Sequence, residues 1–162
     1  MGLVEIIEAD LTQPSQQQAV VTLTAAYAAD RMGGGQPLSD EVRRALIPGL
    51  RRHPGTLIFL AYHEGEPVGI ATCFRGFSTF AARPLINIHD LAVLPAYRGR
   101  GIGRRLLQAV ESKAREEGCC RLTLEVWEEN LTARRTYEAA GFGQASYANA
   151  SGSTLFLSKV LS

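Results

Sequence analysis

The stretch from Val93 to Gly103, Val-Leu-Pro-Ala-Tyr-Arg-Gly-Arg-Gly-Ile-Gly, constrains this chain more than any other. Leu85 to Leu94 has the composition of a buried strand and stops at Pro95. A glycine-rich turn follows. From Gly101 to Glu117 the residues Ile102, Leu106, Leu107, Val110 and Ala114 recur on one helical face, and Gly118 suits the position just past the last turn. A strand, a glycine turn and a helix start, in that order, turn several unpaired backbone N–H groups and the positive end of a helix dipole toward one point. Glycine removes the side chains that would hold an anion away, and Arg98, Arg100, Arg104 and Arg105 add positive charge. A pyrophosphate is the expected ligand. Two other phosphate loops fail the test: a dinucleotide fingerprint starting at Gly99 needs glycine where Arg104 stands, and the chain has no Gly-Lys-Ser/Thr. A plain glycine turn with solvated arginines is the competing reading of this stretch taken alone.

The rest of the chain supplies a sheet for that loop. Leu3 to Glu8 predicts a first strand, and Ser15 to Arg31 a helix with Ala19, Val20, Leu23, Ala26 and Tyr27 as its buried stripe. Gly33-Gly34-Gly35 breaks it, Ser39 caps a second helix to about Arg52, and Pro48 should kink or shorten that helix. Thr56–His63 and Val68–Phe74 form a hairpin about a Glu64–Pro67 turn, and Arg75 to Pro84 reads as a loop. Arg121–Trp127 is a strand, with Trp127 expected in the core. Leu131–Ala140 is a helix between Asn130 and Gly141. Phe142–Ala148 and Thr154–Val160 close the chain as an antiparallel hairpin. The order β-α-α-β-β-β-α-β-α-β-β predicts a mixed α/β sheet, not a regular doubly wound one.

Composition bounds the function. With 162 residues, 46% hydrophobic and 20% charged, the chain is expected to form one domain, 1–162, with a real core; disordered and collagen-like chains are excluded. No apolar run reaches the ~18 residues of a membrane span, and no basic-flanked apolar leader opens the chain. A net charge of +1 argues against nucleic-acid or membrane partners. Cys73, Cys119 and Cys120, odd in number and without CxxC spacing, fit neither a disulfide framework nor a metal site and point to the reducing cytoplasm. The adjacent pair is expected to be packed, not reactive, and His53 and His63 to be solvated.

Arg98-x-x-Gly101-x-Gly103 after a strand resembles the acyl-CoA-binding motif of the GCN5-related N-acetyltransferases, the GNAT superfamily. A second match follows at that family's spacing: Leu122–Val126, then Asn130, Ala133, Tyr137-Glu138 and Gly141-Phe142. The resemblance covers Leu57 to Phe142. It implies a mostly antiparallel sheet of about seven strands with about four helices. The strands at 85–94 and 121–127 would run parallel and splay apart, with acetyl-CoA as co-substrate in the cleft and no metal. The pantetheine arm would bond to the backbone of Leu91, Ala92 and Val93. The pyrophosphate would sit on amides of Arg98, Gly99, Arg100, Gly101, Ile102 and Gly103, with Arg104 nearby, and Asn130 and Ala133 would line the far wall.

The implied reaction is direct attack of an amine on the thioester, with three physical needs. A backbone N–H near Leu91 or Val93 can polarise the carbonyl. Tyr137, a phenol protonated at neutral pH and one turn after Ala133, can protonate the departing thiolate; a packed core tyrosine is the alternative. The amine must become neutral: at a pKa of ~10.4 only ~0.1% is neutral near pH 7.4, a deficit of about 4 kcal/mol. Strict alternation over Asn87-Ile88-His89-Asp90-Leu91 puts Asn87 and His89 on one face and Asp90 on the other, so both faces turn polar unless a bulge intervenes. Relatives often carry a glutamate here. His89 is the expected base, and Asp90 either orients it or binds a cationic substrate; a structural hydrogen-bonded pair is the competing reading. The acceptor pocket, a small-molecule or peptide amine's site, is expected from segments around Tyr27 to Pro37 and Phe77 to Pro84, with Arg31 and the triple glycine as a mobile lip, Tyr27, Phe77 and Phe80 in one apolar or cation-holding wall, and Asn87 and Asp90 as further substrate-binding residues. The alternative function is a non-catalytic acyl-CoA sensor or scaffold. Exposed sheet edges leave a homodimer open.

Overall fold

The computed structural model describes residues 2–144 and 154–161. In chain order the elements are β1 (Val4–Glu8), α1 (Pro14–Ala29), α2 (Asp40–Arg52), β2 (Thr56–His63), β3 (Glu66–Ser78), β4 (Arg83–Val93), α3 (Ile102–Glu116), β5 (Arg121–Trp127), α4 (Leu131–Ala139), β6 (Gly143–Gln144) and β7 (Thr154–Val160). They form a seven-stranded sheet in the order β1-β2-β3-β4-β5-β7-β6. All neighbours are antiparallel except β4 and β5, which run parallel. Gly143 and Gln144 open the expected closing hairpin by pairing Ser158 and Leu157; the rest of the strand predicted to Ala148 lies outside the described residues.

Helices cover both faces of the sheet. Ala19, Val20 and Leu23 of α1 and Ile47 of α2 pack on Ile58, Leu60 and Ile70; Ala26, placed in the buried stripe from sequence, is exposed. On the opposite face the apolar stripe of α3, from Ile102 to Ala114, packs with Tyr137 of α4 on Ile86, Ile88, Leu122 and Leu124. Burial of these aliphatic side chains, at about 1.5–3 kcal/mol each, holds the two layers to the sheet. Ser39 caps α2 as expected, accepting from the Val42 amide at 3.2 Å.

Four expectations needed correction here. Pro48 does not shorten α2, which runs through to Arg52. The turn that loses a hydrogen bond, from Arg44 to residue 48, lies on the exposed side of the helix, where water can serve the orphan carbonyl. The 75–84 loop is mostly strand: β3 continues to Ser78 and β4 begins at Arg83. Arg75, Gly76 and Phe77 are exposed, so no buried face imprints an alternating pattern on that stretch. The β2–β3 turn is also tighter than predicted, with Glu64 (φ 51°) and Gly65 (φ 84°) as its two central residues in left-handed conformation. Trp127, expected in the core, is 48% exposed at the end of β5.

Candidate active site

The two parallel strands stay together for only three rungs, Ile86–Leu122, Asn87–Thr123 and Ile88–Leu124, and then part. The side-chain amide of Asn87 ties the middle rung, donating to Thr123 Oγ1 at 2.9 Å. The cause of the parting lies in the next residue. On the other edge of β4, Ile88 opposes Cys73 and Asp90 opposes Thr72, so His89 is an extra residue, a β-bulge. A bulge bends its strand and ends pairing beside it.

Beyond the bulge β4 offers backbone to the opening. Leu94 donates to Val68 at 2.9 Å, and Ala92 opposes Ile70 two residues earlier. In an antiparallel ladder the alternate residues turn their N–H and C=O the other way. Leu91 and Val93 therefore face the splay, while Ala92, named with them from the sequence, spends its backbone on β3. The Val93 carbonyl already accepts from Arg98 Nε at 2.9 Å. Both groups of Leu91 and the N–H of Val93 have no partner among the described residues and remain for an extended ligand.

The glycine loop begins as β4 ends. The amides of Tyr97 and Arg98 bond back to Leu94 and Pro95, and that of Arg105 bonds to Gly101. Between them, the six consecutive N–H groups of Gly99 to Arg104 have no acceptor among the described residues. Gly99 (φ 76°) and Gly101 (φ 78°) adopt the left-handed conformation that gathers such amides into an anion nest. Ile102 joins through its amide alone, because its side chain is buried in the core.

The four arginines do different work. Arg100 lies over the Tyr97 ring, 5.2 Å from its centroid, and Arg105 donates to the Val4 carbonyl at 2.8 Å. Arg98 is a clip: besides Val93, it pairs with Asp30 Oδ2 at 2.9 Å. Only Arg104 is exposed with no partner among the described residues. Asp30, not singled out from the sequence, also caps the turn after α1 by accepting from Met32 N at 2.9 Å. The Arg98 hydrogen bond first, then the Met32 amide, holds its carboxyl below the usual range. The signal that could have exposed it is an aspartate three residues before a helix-breaking glycine run.

The bulge overturns the predicted alternation. Asp90 and Ile88 lie on opposite faces, so Asp90 shares a face with Asn87, the side of the sheet that carries α1 and α2. The His89 ring meets Phe74 edge-on at 5.6 Å between centroids, and Phe74 meets His53 at 5.0 Å. β4 is therefore polar on one face only, while Ile86 and Ile88 stay in the core on the other. His89 is exposed and Asp90 is partly buried, and no hydrogen bond joins them among the described residues. Burial raises the Asp90 carboxyl pKa above its usual range, against a lowering by His89.

The charge of Asp90 is felt by two tyrosines. Tyr27 comes from the last turns of α1, and its phenol is raised by burial, then by the charges of Asp90 and Asp30. Tyr137 comes from α4 across the opening; it is 6% exposed, and its phenol is raised by burial, then by Tyr27 and Asp90. Its ring is held by Phe142 at 6.0 Å, and Phe142 is placed by the αL turn at Gly141 and its bond to the Tyr137 carbonyl. The Tyr137 hydroxyl has no hydrogen-bond partner among the described residues. Asn130 caps α4, accepting from Ala133 N at 3.2 Å, and Ala133 packs at the core's margin.

The predicted acceptor wall divides. The glycine run is a wound corner: Gly33 and Gly35 both donate to the Asp30 carbonyl and Gln36 donates to Ala28, with Gly34 and Gly35 at positive φ. Tyr27 and Asp30 belong to this corner, and Arg31 is exposed on it. Phe77 and Phe80 do not join them. Phe80 is fully exposed in the β3–β4 turn, at the end of β4 away from the bulge, about 23 Å along the strand from Asp90.

The family model for the acetyltransferase (GNAT) family matches residues 21–142. An uncharacterized N-acetyltransferase of Bacillus subtilis, YhfO, is 33% identical over 87 residues, 54% of this chain and 58% of that protein. The thialysine N-epsilon-acetyltransferase of Bos taurus is 37% identical over 82 residues, 48% of each chain. The matched region thus spans about half the length of these curated relatives. Among solved structures, a chain of the NatC complex bound to Gag peptide and CoA superposes with a TM-score of 0.75 at 23% identity, covering 98% of this chain and 99% of that one.

Proposed function

The chain belongs to the acetyltransferase (GNAT) family, and from that premise we propose that it moves an acetyl group from acetyl-CoA to a primary amine on a small molecule or a peptide. The observation that carries the proposal is the nest of six free amides at Gly99–Arg104 beside a splayed strand pair with unpaired backbone at Leu91 and Val93. An anion with an extended amide-bearing arm fits both parts: the nest and Arg104 take the pyrophosphate, and Leu91 and Val93 take the arm. Both acceptor classes have support among the relatives, since one is named for thialysine and a structural neighbour holds a peptide. Three free, buried cysteines fit a reducing compartment, and we place the protein in the cytoplasm.

The residues divide the chemistry as follows. The amine nitrogen attacks the thioester carbon, and the C–S bond breaks. An N–H of Leu91 or Val93 stabilises charge developing on the carbonyl oxygen. Tyr137, kept protonated by burial, gives its proton to the departing sulfur and regains one from solvent, to which the acylated nitrogen sheds its extra proton. The base role moves from His89 to Asp90. Asp90 is partly buried and its charge acts on the phenols of Tyr27 and Tyr137, while His89 stands exposed against Phe74. As a carboxylate Asp90 attracts the ammonium form of the acceptor and then takes its proton. Asn87, with its amide committed to Thr123, keeps the splay at its register and leaves its carbonyl oxygen toward the same face.

Calorimetric titration with acetyl-CoA, free CoA and ATP tests the donor half. Micromolar binding of both CoA species with much weaker ATP binding is expected. No CoA binding would overturn the proposal. Thiol release across an amine panel then tests transfer; slow release indifferent to every amine would favour an acyl-CoA sensor.

A further inference from the structure

Helix α2 carries two pairs of arginines, Arg43-Arg44 and Arg51-Arg52, separated by eight residues and hence by about 12 Å along the axis. All four are exposed, and none makes an ion pair or hydrogen bond among the described residues. They rim a cavity of about 820 Å³ between α1 and α2. Its floor is apolar, with Val21 and Ile47 flanked by Pro14 and Pro48, and Gln17 and Gln18 stand on the α1 side. The nearby carboxylates do not quench this charge. Asp40 and Glu41 sit in the first turn of α2, and Asp10, which feels Arg51, is occupied by the amide and hydroxyl of Thr12 at 2.9 and 2.7 Å. In a chain of net charge +1 this is a local field, not a general affinity for polyanions.

We propose that the groove between α1 and α2 docks an acidic, amphipathic segment of another polypeptide, separate from the transfer site. Arginine forks bind carboxylates in bidentate fashion. Carboxylates two helical turns apart, or four residues apart in an extended strand, are about 11–13 Å apart and match the two arginine pairs. An aliphatic side chain between them would cover Val21 and Ile47. A nucleic acid would meet the arginines but leave that floor uncovered, and no aromatic side chain lines the groove to stack a base.

The probe is a short fluorescein-labelled peptide of Glu with Leu at every third or fourth position, N-acetylated and free of lysine so that it cannot be an acceptor. Its anisotropy is read against the whole protein. Saturable binding is expected, weakened at least tenfold by Arg43→Glu with Arg51→Glu, and weakened less by the Gln pair. Arg83→Glu with Arg135→Glu, an equal charge change elsewhere, should leave it unchanged. Replacing Leu by Ser, or Glu by Gln, in the peptide should each cost binding. No saturable binding overturns the proposal. So does equal loss in both double variants, indifference to the Leu change, or tighter binding of a single-stranded RNA lost with the same arginines. The acetyl-CoA titration is read separately on the same variants, so failure there and failure here are distinguishable.

Discussion

On the proposed function, the donor side and the acceptor side of the splay are built from different materials. On the donor side, Leu91, Val93 and the loop from Gly99 to Arg104 contribute backbone. On the acceptor side, Tyr27, Asp30, Asp90 and Tyr137 contribute side chains carried in from α1, β4 and α4. A backbone site depends on where glycines and strand ends fall, which is local. A side-chain site depends on which face each residue takes and which helix lies above it, which is not local. The donor side therefore tolerates much change in side chains but little in φ, and the acceptor side the reverse.

The largest expected effects are on the acceptor side, where the proposed mechanism assigns chemistry to single atoms. Tyr137→Phe removes one hydroxyl and keeps the ring against Phe142; turnover should fall about 10²–10⁴-fold while acetyl-CoA affinity in calorimetry stays unchanged. Unchanged turnover would strip Tyr137 of the acid role. Asp90→Asn should lower kcat/KM by about 10²-fold, whereas His89→Ala should stay within about threefold at every pH. The reverse order would return the base role to His89. Asp90→Asn should also raise Tm at neutral pH. Its folded pKa lies above the unfolded value of ~3.9, so the buried charge costs stability above the folded pKa. That cost fades as pH falls through the folded pKa and is gone below the unfolded one, so the two melting curves should converge in acid. A variant that is dead yet more stable marks a site that trades stability for function.

The same contrast sets how much the sequence disclosed. Glycines at 99 and 101 and the caps Ser39 and Asn130 announce themselves, because each answers a local backbone need; the helices and the sheet they start were legible for the same reason. Phe142 was legible as part of a spacing, though its work, holding the Tyr137 ring, was not. The polar residues at 87–90 raised a bulge as one reading but did not fix its place at His89. One extra residue reverses the face of all that follows, and nothing in Asn87-Ile88-His89-Asp90 marks which residue is the extra one. Asp30 meets Arg98 across 68 residues of chain, beyond any local pattern. Phe77 and Phe80 misled because an exposed strand carries no alternation to separate it from a loop.

Smaller effects probe the donor side and the joint between the two. Gly101→Val should weaken acetyl-CoA binding about tenfold with little change in turnover at saturation. Among the described residues nothing beyond its chain neighbours lies within 4 Å of the new Cβ, so the cost is the left-handed backbone, about 1–2 kcal/mol. Asp30→Asn should have the smallest effect. The amide oxygen can still cap Met32, so only the charge opposite Arg98 is lost, and a half-exposed pair contributes about 0–1 kcal/mol. Its folded pKa is depressed, so its contribution is present above the unfolded pKa and is lost as pH falls through the folded one; parent and variant should melt alike in acid. The informative readout is where the kinetic change falls. Arg98 holds the Val93 carbonyl on the donor side and Asp30 on the acceptor corner, so both acetyl-CoA affinity and acceptor KM should shift together, each by a few fold. A shift in acetyl-CoA affinity alone would make the clip a donor-side brace. A shift in acceptor KM alone would mean that the two sides, different in material, are also mechanically separate.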